Sequence, residues 1–170
     1  MRFEIQNNQL FRFMRTSYAL NTGLIGIMLI GFPLFIMIIE EAPVRVMSFV
    51  LGSMFVFGLL LFSFLLWHAR ALTNALSYEV KDGVLYISEG VFVYQRKAIP
   101  LDRVTDFRLV QGILMRMFGI WKIQVQTAGA SGATGAEGIL LAVQGPLVAR
   151  DSLLQLRDAA VKAQRIDGAA

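Results

Sequence analysis

Two apolar runs without a single formal charge dominate the first 70 residues: Thr16–Ile39, of 24 residues, and Val46–Trp67, of 22. A hydrocarbon core about 30 Å thick takes roughly 20 helical residues, so each run is long enough to span a bilayer with some tilt. Between them stand only Glu40, Glu41, Ala42, Pro43, Val44 and Arg45. Six residues with a proline make a tight connection, so the runs are expected to form an antiparallel two-helix hairpin over 16–67. The first run is too long for a signal-peptide core and no small-x-small cleavage site precedes Glu40 and Glu41, so it is expected to be retained.

Composition agrees. The chain is 56% hydrophobic and 16% charged, with a mean hydropathy of +0.59. A soluble domain carries about 25% charge. The 13 Phe, 4 Tyr and 2 Trp exclude a disordered chain. The absence of cysteine excludes disulfides, a thiolate nucleophile and cysteine-held metals, and the single histidine excludes multi-histidine metal sites. No metal or cofactor is expected.

Orientation follows from the basic residues. Arg2, Arg12 and Arg15 precede the first run and Arg70 follows the second, whereas Arg45 in the turn is offset by Glu40 and Glu41. Both termini are therefore expected in the cytoplasm, in a multi-pass protein of the inner membrane. Gly23, Gly26 and Gly31 in the first run and Ser48, Gly52 and Ser53 in the second suggest close helix contact. Pro33 is expected to kink the first helix. Neither run holds an acidic or basic residue, so an ion path lacks its usual signature.

After His68 the pattern turns to short alternating runs. Leu76–Lys81 and Val84–Glu89 flank Asp82-Gly83, the strongest short hairpin signal. Strands are expected at Val91–Ile99, Val104–Val110, Ile120–Thr127 and Gly138–Val143, with Pro100 breaking the pairing after the first of these. One or two helical turns fit Gln111–Phe118. In Ile120–Thr127, Trp121, Ile123 and Val125 face one side, and Lys122, Gln124 and Gln126 the other. A final helix starts near Pro146, with Ala149, Leu153, Leu156, Ala160 and Ala163 as its apolar stripe. The chain thus divides into an N-terminal segment 1–15, the hairpin, a linker 68–75, a sheet-rich domain 76–165 closed by a helix, and a tail 166–170. Met1–Gln6 alternates as well. Phe3, Ile5, Leu10, Phe11 and Phe13 are read as resting in the headgroup region, an added edge strand being the alternative.

Two membrane helices followed by YEVKDGVLYISEGVFVYQRKAIPLDRVTDF and then GILMRMFGIWKIQVQTAGASG resemble the bacterial PH-like (pleckstrin-homology-like) membrane-flanked domain, long described as a domain of unknown function. The resemblance covers Leu76 to about Leu156. Its most telling parts are Asp82-Gly83, Gly90, the run Ile99 to Val104, and Leu114 through Gly119. It implies two packed antiparallel sheets with a C-terminal capping helix, and no catalytic residues to transfer. Eukaryotic lipid-binding PH domains hold an inositol phosphate in a long basic first hairpin loop. Here that turn is Lys81-Asp82-Gly83, short and acidic, so no phosphoinositide pocket is expected.

The basic stretch Arg96, Lys97, Arg103, Arg108, Arg116 and Lys122, opposed only by Asp102 and Asp106, is the candidate surface for anionic lipid or a partner. Such faces are ordinarily just solvated. No recognition motif points to nucleic acid. Gly129, Gly132, Gly135 and Gly138 lack the helix and Lys-Ser/Thr pair of a phosphate loop, and read as a hairpin loop. His68 beside Trp67 reads as interfacial anchoring, and Asp102 and Asp106 as surface ion pairs with Arg103 and Arg108. Ser88, Ser131 and Ser152 have no context for a catalytic triad. The expectation is a non-enzymatic, membrane-anchored scaffold or binding module docking a protein partner, another copy of itself or anionic lipid. The rival reading is an oligomeric channel or transporter subunit lined by Asn21, Ser48, Ser53 and Ser63.

Overall fold

The computed structural model describes residues 1–39, 43–127 and 136–167. Two compact units emerge, one of residues 1–11 and 71–170, the other of 12–70. The turn residues 40–42, the glycine-rich stretch 128–135 and the tail 168–170 lie outside the described residues.

The second unit consists of the greater part of two long helices, α1 (Asn7–Ile39) and α2 (Val44–Ala75). Among the described residues α2 is apolar and long enough to cross a membrane, and its most apolar window, of mean hydropathy 2.5, is not buried by the protein. Three serines of α2 turn back on their own helix. Ser48, Ser53 and Ser63 donate to the carbonyls of Arg45, Val50 and Leu59 at 3.0, 2.8 and 2.8 Å. Their hydroxyls are thereby satisfied without a neighbour, as apolar surroundings demand. These are also the groups that the channel reading needs for its lining.

Both helices outrun their apolar cores. The linker expected at 68–75 is helical, because Ala69, Ala71, Leu72 and Ala75 are good helix formers and nothing between Trp67 and Ala75 breaks the ladder. α1 likewise begins at Asn7, well inside the segment set apart as 1–15, and continues through Pro33. The close contact expected of the small residues is not formed. A Cβ built at Gly23, Gly26, Gly31 or Gly52 meets nothing within 4 Å. Instead Thr22, Gly26 and Ile30 of α1 and Ser53, Phe57 and Leu61 of α2 border an apolar groove of about 440 Å³.

The first unit contains two antiparallel sheets. One has the order β1 (Arg2–Phe3), β2 (Ser77–Lys81), β3 (Val84–Glu89), β4 (Gln95–Pro100); the other β5 (Val104–Val110), β6 (Lys122–Thr127), β7 (Gly138–Leu141). Asp82 and Gly83 both take positive φ, 51° and 72°. That is the twist a two-residue hairpin needs, and glycine adopts it without steric cost. Leu85, Ile87 and Ile99 of one sheet and Phe107, Ile123, Val125 and Leu140 of the other form the core. A short α3 (Ile113–Met117) joins β5 to β6, and α4 (Pro146–Asp167) closes the unit through buried Ala149 and Leu153. Two packed sheets and a closing helix are the PH-like architecture. The stripe of α4 fades toward its end, where Ala163 is exposed, and the helix takes in the first residues of the expected tail.

Within the first unit the structure also differs from the sequence expectation. Met1–Gln6 does not lie in a headgroup layer. Arg2 and Phe3 pair with Glu79 and Tyr78, Ile5 bridges to Val143, and Phe3 and Leu10 are buried in this unit. The edge of β2 offers backbone partners as well as apolar cover, which satisfies more groups than apolar cover alone. The strand expected from Val91 starts only at Gln95, because Gly90, at φ +115°, turns the chain out of the ladder. Pro100, in turn, does not break the pairing but ends it, opposite Val84.

Candidate functional site

Strand alternation scatters the six basic residues that stand close in sequence. Arg96 and Lys97 are consecutive in β4 and project to opposite faces of its sheet. Arg96 lies over the Tyr86 ring at 4.6 Å, a cation–π contact on the outer face. Lys97 reaches Glu89 at 2.8 Å. Arg103 ends a 3-10 turn (Leu101–Arg103) at the far end of the strands. Arg108 and Lys122 do share a surface: Arg108 sits opposite Gln124 and Lys122 opposite Val110, all pointing outward from the β5–β6 ladder. Arg116 is exposed on α3. The structure therefore brings together Arg108 and Lys122, and leaves Arg103 apart from the rest. In β6, Ile123 and Val125 face the core as expected, while Gln124 is also buried, flanked by Arg108 and Ile139.

Ion pairs among the described residues include Lys97–Glu89, Arg150–Asp151 and Arg157–Asp158. The pairs expected of Asp102 and Asp106 with Arg103 and Arg108 are not formed. Asp102 belongs to the 3-10 turn, and Asp106 follows a bulge after Val104 that separates it from that turn. Asp102 instead shares a shallow groove with Asp82, between the β2–β3 turn and Ala160 of α4. His68 has the Tyr18 hydroxyl 3.4 Å from its Nδ1 and the Phe64 ring stacked at 6.3 Å. Of the glycines spaced by three, only Gly138 is described, at the start of β7; Ser131 also lies outside the described residues.

Among the described residues, folding perturbs the ionisable group of Tyr78. It is buried, and its hydroxyl accepts a hydrogen bond from the Leu141 N–H at 2.9 Å, tying β2 to β7 across the two sheets. Burial pushes its phenol up to about 12, against the opposing pull of that bond. Its partners mark a structural tie rather than a reacting group.

A third feature is the end of the unit where both helices are rooted. α1 begins four residues after β1, and α2 ends two residues before β2, and those two strands are neighbours. Three connections converge on the same end. The Gln6 N–H donates to the Ala142 carbonyl at 2.8 Å, the Gln144 N–H to the Glu4 carbonyl at 2.9 Å, and the Ala142 N–H to the Trp121 carbonyl at 2.9 Å. Exposed apolar side chains cluster on the loops here, notably Phe92, Val93 and Tyr94. Sequence reading placed these in a strand. The available signal was the unalternating run Val91–Tyr94 directly after a glycine.

The sequence profile of the bacterial PH domain family matches residues 24–160. The chain belongs to that family. In a curated relative, the UPF0699 transmembrane protein YdbT of Bacillus subtilis (strain 168), 67 residues are 33% identical to this bacterial PH domain chain. The match takes in 39% of the chain but only 13% of that much longer protein. No solved structure matches it. The family match, the transmembrane relative and the exposed apolar α2 together make this a membrane-associated PH-like protein.

Proposed function

We propose that this bacterial PH domain protein is a non-enzymatic, membrane-anchored binding module. Its two helices cross the inner membrane as a hairpin, with both termini in the cytoplasm. Its β unit docks a protein partner, a second copy or anionic lipid at the inner face. One observation carries the reading: β1 and β2 are adjacent strands, and α1 leaves the first almost directly while α2 enters the second almost directly. The start of α1 and the end of α2 are thus rooted at one place, as an antiparallel hairpin with its domain on one side of the bilayer requires. Arg2, Arg12 and Arg15 precede the first apolar run and Arg70 follows the second, in keeping with a cytoplasmic side. Membership of a family whose domains generally bind rather than catalyse supports the non-enzymatic part. The acidic groove of Asp82 and Asp102 speaks against an inositol phosphate pocket beside that turn.

The chain has no cysteine, so single thiols report cleanly. A membrane-impermeant maleimide should label Val44→Cys, at the hairpin turn, in intact spheroplasts. Gln155→Cys on the outer side of α4 should react only after permeabilisation. Labelling of Gln155→Cys in intact cells would overturn the topology. A photo-crosslinking residue at Arg108 should yield a discrete adduct; neither an adduct nor any retention on anionic vesicles would overturn docking by this surface.

A further inference from the structure

We infer that the β unit of this protein lies against the bilayer through an apolar rim formed by residues 91–94, 113–117 and 147–148. This rests on the membrane-anchored reading and names the surface and the ligand: the interfacial region of an anionic bilayer.

The rim is assembled by topology. The 91–94 loop follows Glu89, whose neighbour Ser88 pairs with Ser77, two residues beyond the end of α2. α3 leads into Gly119, next to the Gln9 side chain in the first turn of α1. Residues 147–148 follow Val143 and Gln144, which bond to Ile5 and Glu4 just before α1. All three segments therefore stand at the end of the unit where the chain passes into its helices.

They are apolar and open. Phe92 and Val93 are each 69% exposed, Tyr94 67%, Ile113 85%, Met117 75% and Val148 71%. Ile113 and Met117, four apart on α3, share a face. A single exposed apolar residue is ordinary, but several around one end mark a surface meant to be covered.

Charge selects the cover. The stretches 90–96, 111–122 and 143–150 contain Arg96, Arg116, Lys122 and Arg150 and no carboxylate, and so account for the whole formal charge of +4. Arg150 is held by Asp151. Arg96, which lies over the Tyr86 ring, Arg116 and Lys122 belong to the same three stretches as the apolar tips. Aromatic and aliphatic side chains accompanied by cations are the combination that enters a headgroup layer and meets anionic phosphates. The apolar side chains of α2 are likewise uncovered. A protein partner would need an acidic, apolar counterpart, whereas the bilayer that α2 enters supplies both chemistries at the place where the rim stands.

The test uses the full chain in vesicles of phosphatidylcholine with anionic phosphatidylglycerol. Environment-sensitive fluorophores are placed singly on Val93→Cys, Ile113→Cys and Val148→Cys, with Gln155→Cys as the aqueous control and Phe57→Cys as the buried-in-lipid control. The rim labels should be quenched by shallow spin-labelled lipids at least about threefold more than the Gln155 label. Neutralising Arg96, Arg116 and Lys122 to Gln should lower that quenching about twofold in anionic vesicles and leave zwitterionic vesicles unchanged. Rim labels as open to aqueous iodide as Gln155, with Phe57 still quenched by lipid, would overturn the rim while leaving the anchor intact. Rim labels shielded from both quenchers would overturn it in favour of a protein cover. Iodide access at Phe57 would overturn the anchored reading itself.

Discussion

Replacing Tyr78 with phenylalanine separates the two contributions of one buried hydroxyl. The ring is 1% exposed and would stay in place. What is lost is the 2.9 Å bond from the Leu141 N–H, which joins the two sheets. A buried donor left without its acceptor costs about 1–3 kcal/mol. Leu141 is only half-buried, so water replaces part of the bond, and about 1–2 kcal/mol is the expected loss at pH 7. For a unit of this size that is a fall in Tm of about 5–10 °C. The second contribution has the opposite sign. Because burial raises the folded phenol from 10.0 to about 12, folding favours the neutral form. The resulting stability is fully present below pH 10 and is lost as pH climbs through 12. That loss amounts to about 2–3 kcal/mol. The phenylalanine variant has no such proton. Its stability curve should start below that of the natural chain at pH 7 and cross above it at about pH 11. Thermal unfolding of the full chain in detergent micelles, followed by Trp121 fluorescence in a Trp67→Phe background between pH 7 and 12, would read both effects. Equal stability at pH 7 together with parallel alkaline losses would refute the reasoning.

Three further substitutions test the turn and the surface charge. Gly90 has φ +115°, and a Cβ there would stand 1.9 Å from the Val93 carbonyl oxygen. Gly90→Ala should therefore lower stability by about 1–3 kcal/mol, while Gly112→Ala, where a Cβ meets nothing, should change it by less than about 0.5 kcal/mol. Equal effects of the two in denaturant titrations would refute the turn geometry. Lys97→Gln removes an ion pair whose side chains are 45% and 35% exposed. Water screens such a pair, so the change should stay within about 0.5 kcal/mol; a loss beyond about 2 kcal/mol would mean that Lys97 does more than pair with Glu89.

Local signals were legible and carried the sequence reading far. Asp82-Gly83 announced its hairpin because a two-residue loop of that chemistry has few other uses, and the alternation of Ile123 and Val125 marked the core face of β6. Apolar run length, however, measures what fits lipid and not how far a helix continues. α2 therefore passes through a segment read as a linker. Phe3 and Ile5 illustrate a different limit. Headgroups and a sheet edge both reward an alternating apolar segment, and the choice depends on Glu79 and Tyr78, more than seventy residues away. The basic residues illustrate a third. Nearness in sequence placed Arg96, Lys97 and Arg103 on one surface, but the pleat sends the first two to opposite faces and the turn carries the third away.

The sequence by itself thus determined the two apolar runs, the sheet-rich character of the chain beyond them and the family to which it belongs. Each rests on periodicity, run length or turn chemistry, which are satisfied within a segment. Only the tertiary structure decided which apolar residues stay uncovered, that Phe92, Ile113 and Val148 share one end with the roots of both helices, and that Tyr78 ties the sheets together. Those facts depend on which distant segments pair. Pairing is chosen by the whole set of backbone hydrogen bonds and buried surfaces at once, so no single stretch of the chain contains it.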